Sequence, residues 1–224
     1  MPSIAMPIVV VVHTGPTTVQ PIKAQFQELR PDVRVVNIMD DSLLVDVMAA
    51  GQLTDAVSGR ILSYMQMAEK MGAIAILNAC SSVGEAATAA RAGLSIPVVK
   101  IDETMAEKAV ALGPRIGVVA TVRTTLEPTI RLIRAKAEQA GQPVEISEAL
   151  ADGGYEALLD GNTEKHDDIV RRTILSLVDK VDVIVLAQAS MARLTPSLGD
   201  LKVPVLSSPR SGVEAMRVTL EALA

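Results

Sequence analysis

Residues 74–87 read IAILNACSSVGEAA, and they hold the only cysteine of a 224-residue chain, Cys80. The apolar run ends at Leu77, Asn78 follows, and the thiol stands between Ala79 and the pair Ser81 and Ser82, ahead of the helical pattern GEAATAA. A lone cysteine is most often a small hydrophobe in a core. This one falls where a strand ends and a helix begins, the edge at which open α/β sheets present side chains to ligands. Hydroxyl donors and a helix N-terminus favour a thiolate, so the setting predicts a lowered thiol pKa and a role in proton transfer or nucleophilic addition at carbon. No histidine adjoins Cys80 in sequence to build a Cys–His hydrolase; His13, after the first apolar run, is the one candidate partner.

Positioning such a thiol requires a sheet. Short apolar runs recur at 8–12, 33–38, 73–77, 96–101, 115–120, 144–150, 182–187 and 203–206, separated by amphipathic stretches such as NTEKHDDIVRRTILSLVDK. Strand–helix alternation of this kind predicts an α/β fold with mostly parallel sheets and right-handed crossovers. The chain also nearly repeats itself. VVHTGPTTVQPI (11–22) and VVATVRTTLEPT (118–129) agree at six of twelve positions, with an offset of 107. At the same offset IPVV (96–99) meets VPVL (203–206), and an offset of 109 lays IAILNACSS near IVLAQAS, with Ala189 under Cys80 and Ser190 under Ser81. Ordered matches at nearly one offset predict two pseudosymmetric lobes, residues 1–100 with 207–224 and residues 101–206, with a site in the cleft between them.

Each lobe would then bring a strand end and a Thr-rich turn. Thr14 falls on Thr121, and the threonine pairs before VQP and LEP, the second being Thr124 and Thr125, are expected as helix N-caps with proline in the first turn. Free amides and hydroxyls at such positions suit a carboxylate. Asp40 and Asp41 read as a turn and cap, with a substrate-facing loop as the sharper reading. Tyr155, after Gly153 and Gly154, is a candidate to point a hydroxyl at the site.

Composition excludes several classes. A net charge of −5, with one Phe, two Tyr and no Trp, offers neither the electrostatics nor the stacking surfaces for nucleic acid, and no attraction to anionic membrane. The N-terminal run MPSIAMPIVVVV is too short to span a bilayer and has no basic flank, so a cytoplasmic protein is expected. His13, His166 and a single cysteine lack metal-ligand spacing, and no phosphate-binding glycine motif occurs, so neither metal nor nucleotide cofactor is expected.

The strand-end NACSS, the segment GVVATVRTTLEPT and LAQAS at the corresponding place of the second half resemble the aspartate/glutamate racemase superfamily, with its hydantoin racemases, maleate isomerases and arylmalonate decarboxylase. The resemblance covers most of the chain. It implies a cofactor-independent, homo-oligomeric enzyme in which one cysteine per lobe flanks the carbon next to a substrate carboxylate. On that pattern Cys80 is the first-lobe acid or base, and Thr14, Asn78, Ser81, Ser82, Thr121, Thr124, Thr125, Ala189 and Ser190 line a small-carboxylate site, with His13 and Tyr155 as further candidates. Alanine at 189 departs from the pattern, because it neither gives nor takes a proton. Racemisation or isomerisation is the first expectation. A single-thiol decarboxylase and a non-catalytic carboxylate-binding protein are the alternatives.

Overall fold

A computed structural model describes residues 6–223. The start of the N-terminal run, residues 1–5, lies outside the described residues, as does residue 224. The strands are β1 (Ile8–His13), β2 (Arg34–Met39), β3 (Ala73–Asn78), β4 (Val98–Lys100), β5 (Arg115–Ala120), β6 (Glu145–Leu150), β7 (Val183–Leu186) and β8 (Val205–Ser207). Each falls on one of the apolar runs. The helices are α1 (Val19–Leu29), α2 (Ser42–Ala50), α3 (Asp55–Lys70), α4 (Gly84–Ala90), α5 (Glu103–Leu112), α6 (Arg123–Gln139), α7 (Gly154–Leu159), α8 (Thr163–Leu175) and α9 (Ser208–Glu221). No helix among the described residues is long and apolar enough to cross a membrane.

The strands form two four-stranded parallel sheets of the same order, β2-β1-β3-β4 and β6-β5-β7-β8. The chain divides into two compact units: one runs to Ile101 and resumes at Pro209, and the other spans Asp102–Ser208. Central strands read as near-continuous aliphatic runs because both faces are covered. In the first unit, α2, α3 and α4 cover Val10, Val12 and Ile76, while α1 and α9 cover Val9, Val11 and Leu77. In the second, α5 and α6 cover Val118, Ala120 and Val185, whereas α8 and the segment after β7 cover Val119, Ile184 and Leu186. Helix α3 shows why such a segment folds: Thr54 caps its first turn by accepting from Val57 N at 3.3 Å, and Val57, Ile61, Met65 and Ala68 form one buried stripe. In both sheets the chain leaves the first strand in one direction and the third in the other. That switch point, between β1 and β3 or between β5 and β7, is where strand ends stay open to ligand.

Asp40 serves this architecture. Its carboxylate accepts from Ser42 N at 3.1 Å, from the Ser42 hydroxyl at 2.7 Å and from the Tyr64 hydroxyl at 2.5 Å, and it pairs with Arg60. It thus ties the turn after β2 to two successive positions on one face of α3, which is the turn reading taken further. Partial burial would raise its pKa, but Tyr64, Ser42 and Arg60 outweigh that and bring it down to about 2. A lowered carboxylate pKa gives stability that is present above the ordinary value and is lost as pH falls through about 2. Asp40→Asn is therefore expected to cost about 2 kcal/mol at neutral pH and to flatten the acid limb of the stability curve, as measured by urea titration across pH.

Candidate active site at the strand ends

In the first unit, β1 and β3 pair with Val12 opposite Asn78. Two residues further on, the same register brings Thr14 beside Cys80. The Thr14 hydroxyl hydrogen-bonds the sulfur, as do the amides of Ser82 and Val83 and the Ser82 hydroxyl. These amides belong to a 3₁₀ turn, Ser81–Val83, that leads into α4, and Cys80 precedes that turn with extended backbone. Asn78 is fully buried on the same sheet face; its Nδ2 donates to the Cys80 carbonyl at 2.8 Å, and its Oδ1 has no hydrogen-bond partner among the described residues. Thr14, Asn78, Cys80, Ser81 and Ser82 therefore come together.

The expected thiolate does not follow. Cys80 keeps an intermediate accessible surface, yet protein encloses its sulfur closely enough that burial pushes the thiol pKa up, against the pull of Thr14, Ser82 and Val83. Desolvation disfavours the charged form more than the four neutral donors favour it. Cys80 is an S–H group at neutral pH.

His13 lies elsewhere. One residue before Thr14, it takes the opposite face of β1, the side of Val9 and Val11. Its Nδ1 is 2.6 Å from the Thr18 hydroxyl and its Nε2 is 2.9 Å from Asn37 Oδ1. Burial lowers its pKa, with Asn37 opposing, so the neutral ring donates to Asn37 and accepts from Thr18. Thr18 is thereby drawn off capping; it makes no side-chain cap to α1.

The second unit repeats the geometry one residue out of step with the sequence alignment. Ala79 N donates to Val12 O at 2.9 Å, and Ala187 N donates to Val119 O at 2.9 Å. The equivalent offset along β3 and β7 is therefore 108, which puts Ile76 on Ile184, each in the cluster on the corresponding face. A slip of one residue would turn every side chain to the other side of the sheet. The partner of Cys80 is consequently Gln188, not Ala189, and Ser190 matches Ser82. Gln188, like Cys80, precedes a 3₁₀ segment with extended backbone, Ala189–Ser197.

The pairing is also repeated. Thr14 bonds Cys80, and Thr121 bonds Gln188: its amide donates to Gln188 Oε1 at 2.6 Å and its hydroxyl at 3.0 Å. Gly154 backs onto Thr121, where a Cβ would stand 2.9 Å from Thr121 Cγ2, so the threonine rotamer is held. Thr124 and Thr125 do not cap α6. Val122 occupies the cap position without a side-chain bond, both threonines lie inside the first turn, and Thr124 Oγ1 has no hydrogen-bond partner among the described residues. Tyr155 is half-buried in the first turn of α7. Ser190 is also half-buried, and its carbonyl lies 3.5 Å from Arg193 Nη1.

The profile of the Asp/Glu/Hydantoin racemase family matches residues 8–216. The chain belongs to that family. A glutamate racemase from Bacillus anthracis shares this racemase-family fold with a TM-score of 0.77 at 18% identity, over 97% of this chain and 83% of that one. An allantoin racemase from Klebsiella pneumoniae superposes with a TM-score of 0.72 at 19% identity, over 97% and 88%. An aspartate racemase from Picrophilus torridus gives 0.70 at 16% identity, over 96% and 94%. Among curated proteins no sequence matches.

Two residues of this racemase-family chain escaped sequence reasoning. Gln188 was hidden by the alanine and serine identities that pulled the alignment one place along; the alternation of buried faces was the signal. Lys100, only 5% exposed, is the register neighbour of Asn78 on β4. A lysine closing the apolar run IPVVK was its signal. Among the described residues no three His, Cys, Asp or Glu side chains are grouped so as to hold a metal ion.

Proposed function

We propose that this chain is a cofactor-independent enzyme that works at the carbon next to a carboxylate of a small acid, with Cys80 transferring the proton. Membership of the racemase family supports the reaction class. The observation that carries the reading is the Thr14–Cys80 pair at the open end of the switch point, with the sulfur held by two backbone amides. Threonine and serine hydroxyls and free amides there supply donors for a carboxylate and for the enediolate that forms when the neighbouring carbon carries negative charge.

The state of the thiol and the identity of its counterpart favour one reaction among those the family suggests. Cys80 is an S–H group, ready to give a proton. Gln188 carries a carboxamide, which serves as neither general acid nor general base near neutral pH. A two-thiol relay, with one sulfur from each half of the duplicated sequence, lacks its second thiol, because the equivalent position of the second half is Gln188. Decarboxylation of a malonate-type acid fits a single donor. Carbon dioxide leaves, the bonding pair remains as the enediolate, Cys80 delivers its proton to carbon, and the thiolate recovers a proton from water.

The test is turnover of methylmalonate and phenylmalonate in D2O beside D- and L-glutamate and D- and L-aspartate. Carbon dioxide release with one deuterium in a product of single handedness, abolished by Cys80→Ala, is the expected result. Cys80-dependent α-deuterium exchange of the amino acids without carbon dioxide would replace decarboxylation by racemisation. Binding with neither reaction would leave a carboxylate-binding protein and end the enzymatic reading.

A further inference from the structure

His13 is a fully buried ring on the side of the sheet away from Cys80, and both of its nitrogens are engaged. Nε2 meets Asn37 Oδ1 at 2.9 Å on the neighbouring strand β2, and Nδ1 meets the Thr18 hydroxyl at 2.6 Å, five residues along the chain. The ring thus bridges the edge of the sheet and the far end of the loop that leaves β1. The Thr18 hydrogen turns to this nitrogen, the nearer of two acceptors, since the Gly15 carbonyl is 3.3 Å away. Neither the 3₁₀ turn Pro16–Thr18 nor α1 has a side-chain cap among the described residues; the residue of capping type at the start of α1 is given to His13 instead. Thr14 depends on this loop. It lies just past the last residue of β1, is 7% exposed, and sets its hydroxyl on the Cys80 sulfur. Gly15 follows, the residue type with the most backbone freedom, and no described atom lies within 4 Å of where its Cβ would be. Gly15 therefore lends Thr14 no support, and the clasp between His13 and Thr18 is what limits the loop.

We infer that His13 is a positioning residue for Cys80: by holding Thr18 it closes the loop 14–18 and keeps the Thr14 hydroxyl on the sulfur. The inference rests on the reading of Cys80 as the reacting group. It goes further by giving a task in the same site to a histidine that touches neither the sulfur nor the face on which the sulfur stands. A buried polar group whose partners are all in place fixes one arrangement of the chain around it, and here the chain so fixed is the one that carries Thr14.

The single cysteine makes the test direct, because the ultraviolet absorbance of the thiolate, taken against Cys80→Ala, reports one thiol. Thr18→Val removes the clasp at its half-buried end. It is expected to lower the thiolate fraction at a given pH about threefold to tenfold, since a donor to the charged form is lost. Thr18→Ser keeps the hydroxyl and is expected to restore the natural titration. Thr14→Val is expected to give the same fall, and adding Thr18→Val to it to change nothing further, because the effect passes through Thr14. Thermal melting shows that each variant is folded, and Thr18→Ala, which also lacks the hydroxyl, serves where valine does not fit. An unchanged or larger thiolate fraction in the folded Thr18 variant, or losses at 14 and 18 that simply add, would overturn the inference. The titration needs neither substrate nor turnover, so a failure of the proposed enzymatic activity leaves this result standing on its own.

Discussion

Cys80→Ser is expected to lower kcat by about 10²–10⁴-fold while the protein stays folded. Serine is close in size and keeps the hydrogen bonds to Thr14 and to the amides of Ser82 and Val83. Its hydroxyl holds its proton too tightly to deliver it to carbon near neutral pH, so the chemical step alone is lost. The pH profile adds a second check. Burial raises the Cys80 pKa, so the protonated form persists beyond the ordinary thiol value of about 8.5. A reaction that uses S–H as donor should run level from neutral pH through that value and fall only above it. Activity that climbs steadily from pH 7 to 9 would mean that the thiolate is the working form, as base or nucleophile.

Gly212→Ala is expected to be the most damaging single-methyl change to stability in the first unit. Alanine normally strengthens a helix by about 1 kcal/mol over glycine. Within α9, however, a Cβ at Gly212 would stand 2.6 Å from Ile101 Cγ1 and 2.8 Å from both Ile101 Cα and Ile101 O. Two of those atoms are backbone, and Ile101 is itself buried among Val213, Met216 and Leu220. The helix must lift off the sheet or Ile101 must shift, at a cost of about 2–4 kcal/mol, which lowers the melting temperature by roughly 5–15 °C. Gly59 is the control. It lies in α3, exposed, with nothing within 4 Å of where its Cβ would go. Gly59→Ala should stabilise by about 0.5–1 kcal/mol in the same assay. Equal effects at the two positions would mean that helix propensity, and not the approach to Ile101, governs both.

The strands were legible because a parallel strand covered on both faces leaves an unbroken aliphatic run in the sequence, as at Val9–Val12 and Val183–Leu186. The α/β class, the two parallel sheets and the racemase family followed from those runs and from NACSS. What sequence could not supply was register. Identities of alanine and serine after β7 drew the alignment to Ala189, and only the ladder bond from Ala187 to Val119 identifies Gln188. Competition among hydrogen bonds was equally invisible. Thr18 has the residue type of a cap but is taken by His13, and Asp40 is held by a tyrosine and an arginine 24 and 20 residues away. The thiol pKa turned on burial, a property of the packed chain that local donors do not reveal.

Cys80 and Gln188 share one further property. Each follows an alanine whose amide bonds back to the neighbouring strand, and each has extended backbone, with φ and ψ of −142° and 123° in one and −125° and 137° in the other. Every L-amino acid except proline adopts that conformation without strain. The scaffold therefore treats these two places as interchangeable sockets: the architecture dictates where a side chain projects, not which one. A duplicated framework of this kind can be re-equipped one half at a time, each strand end taking a new side chain with no change of backbone.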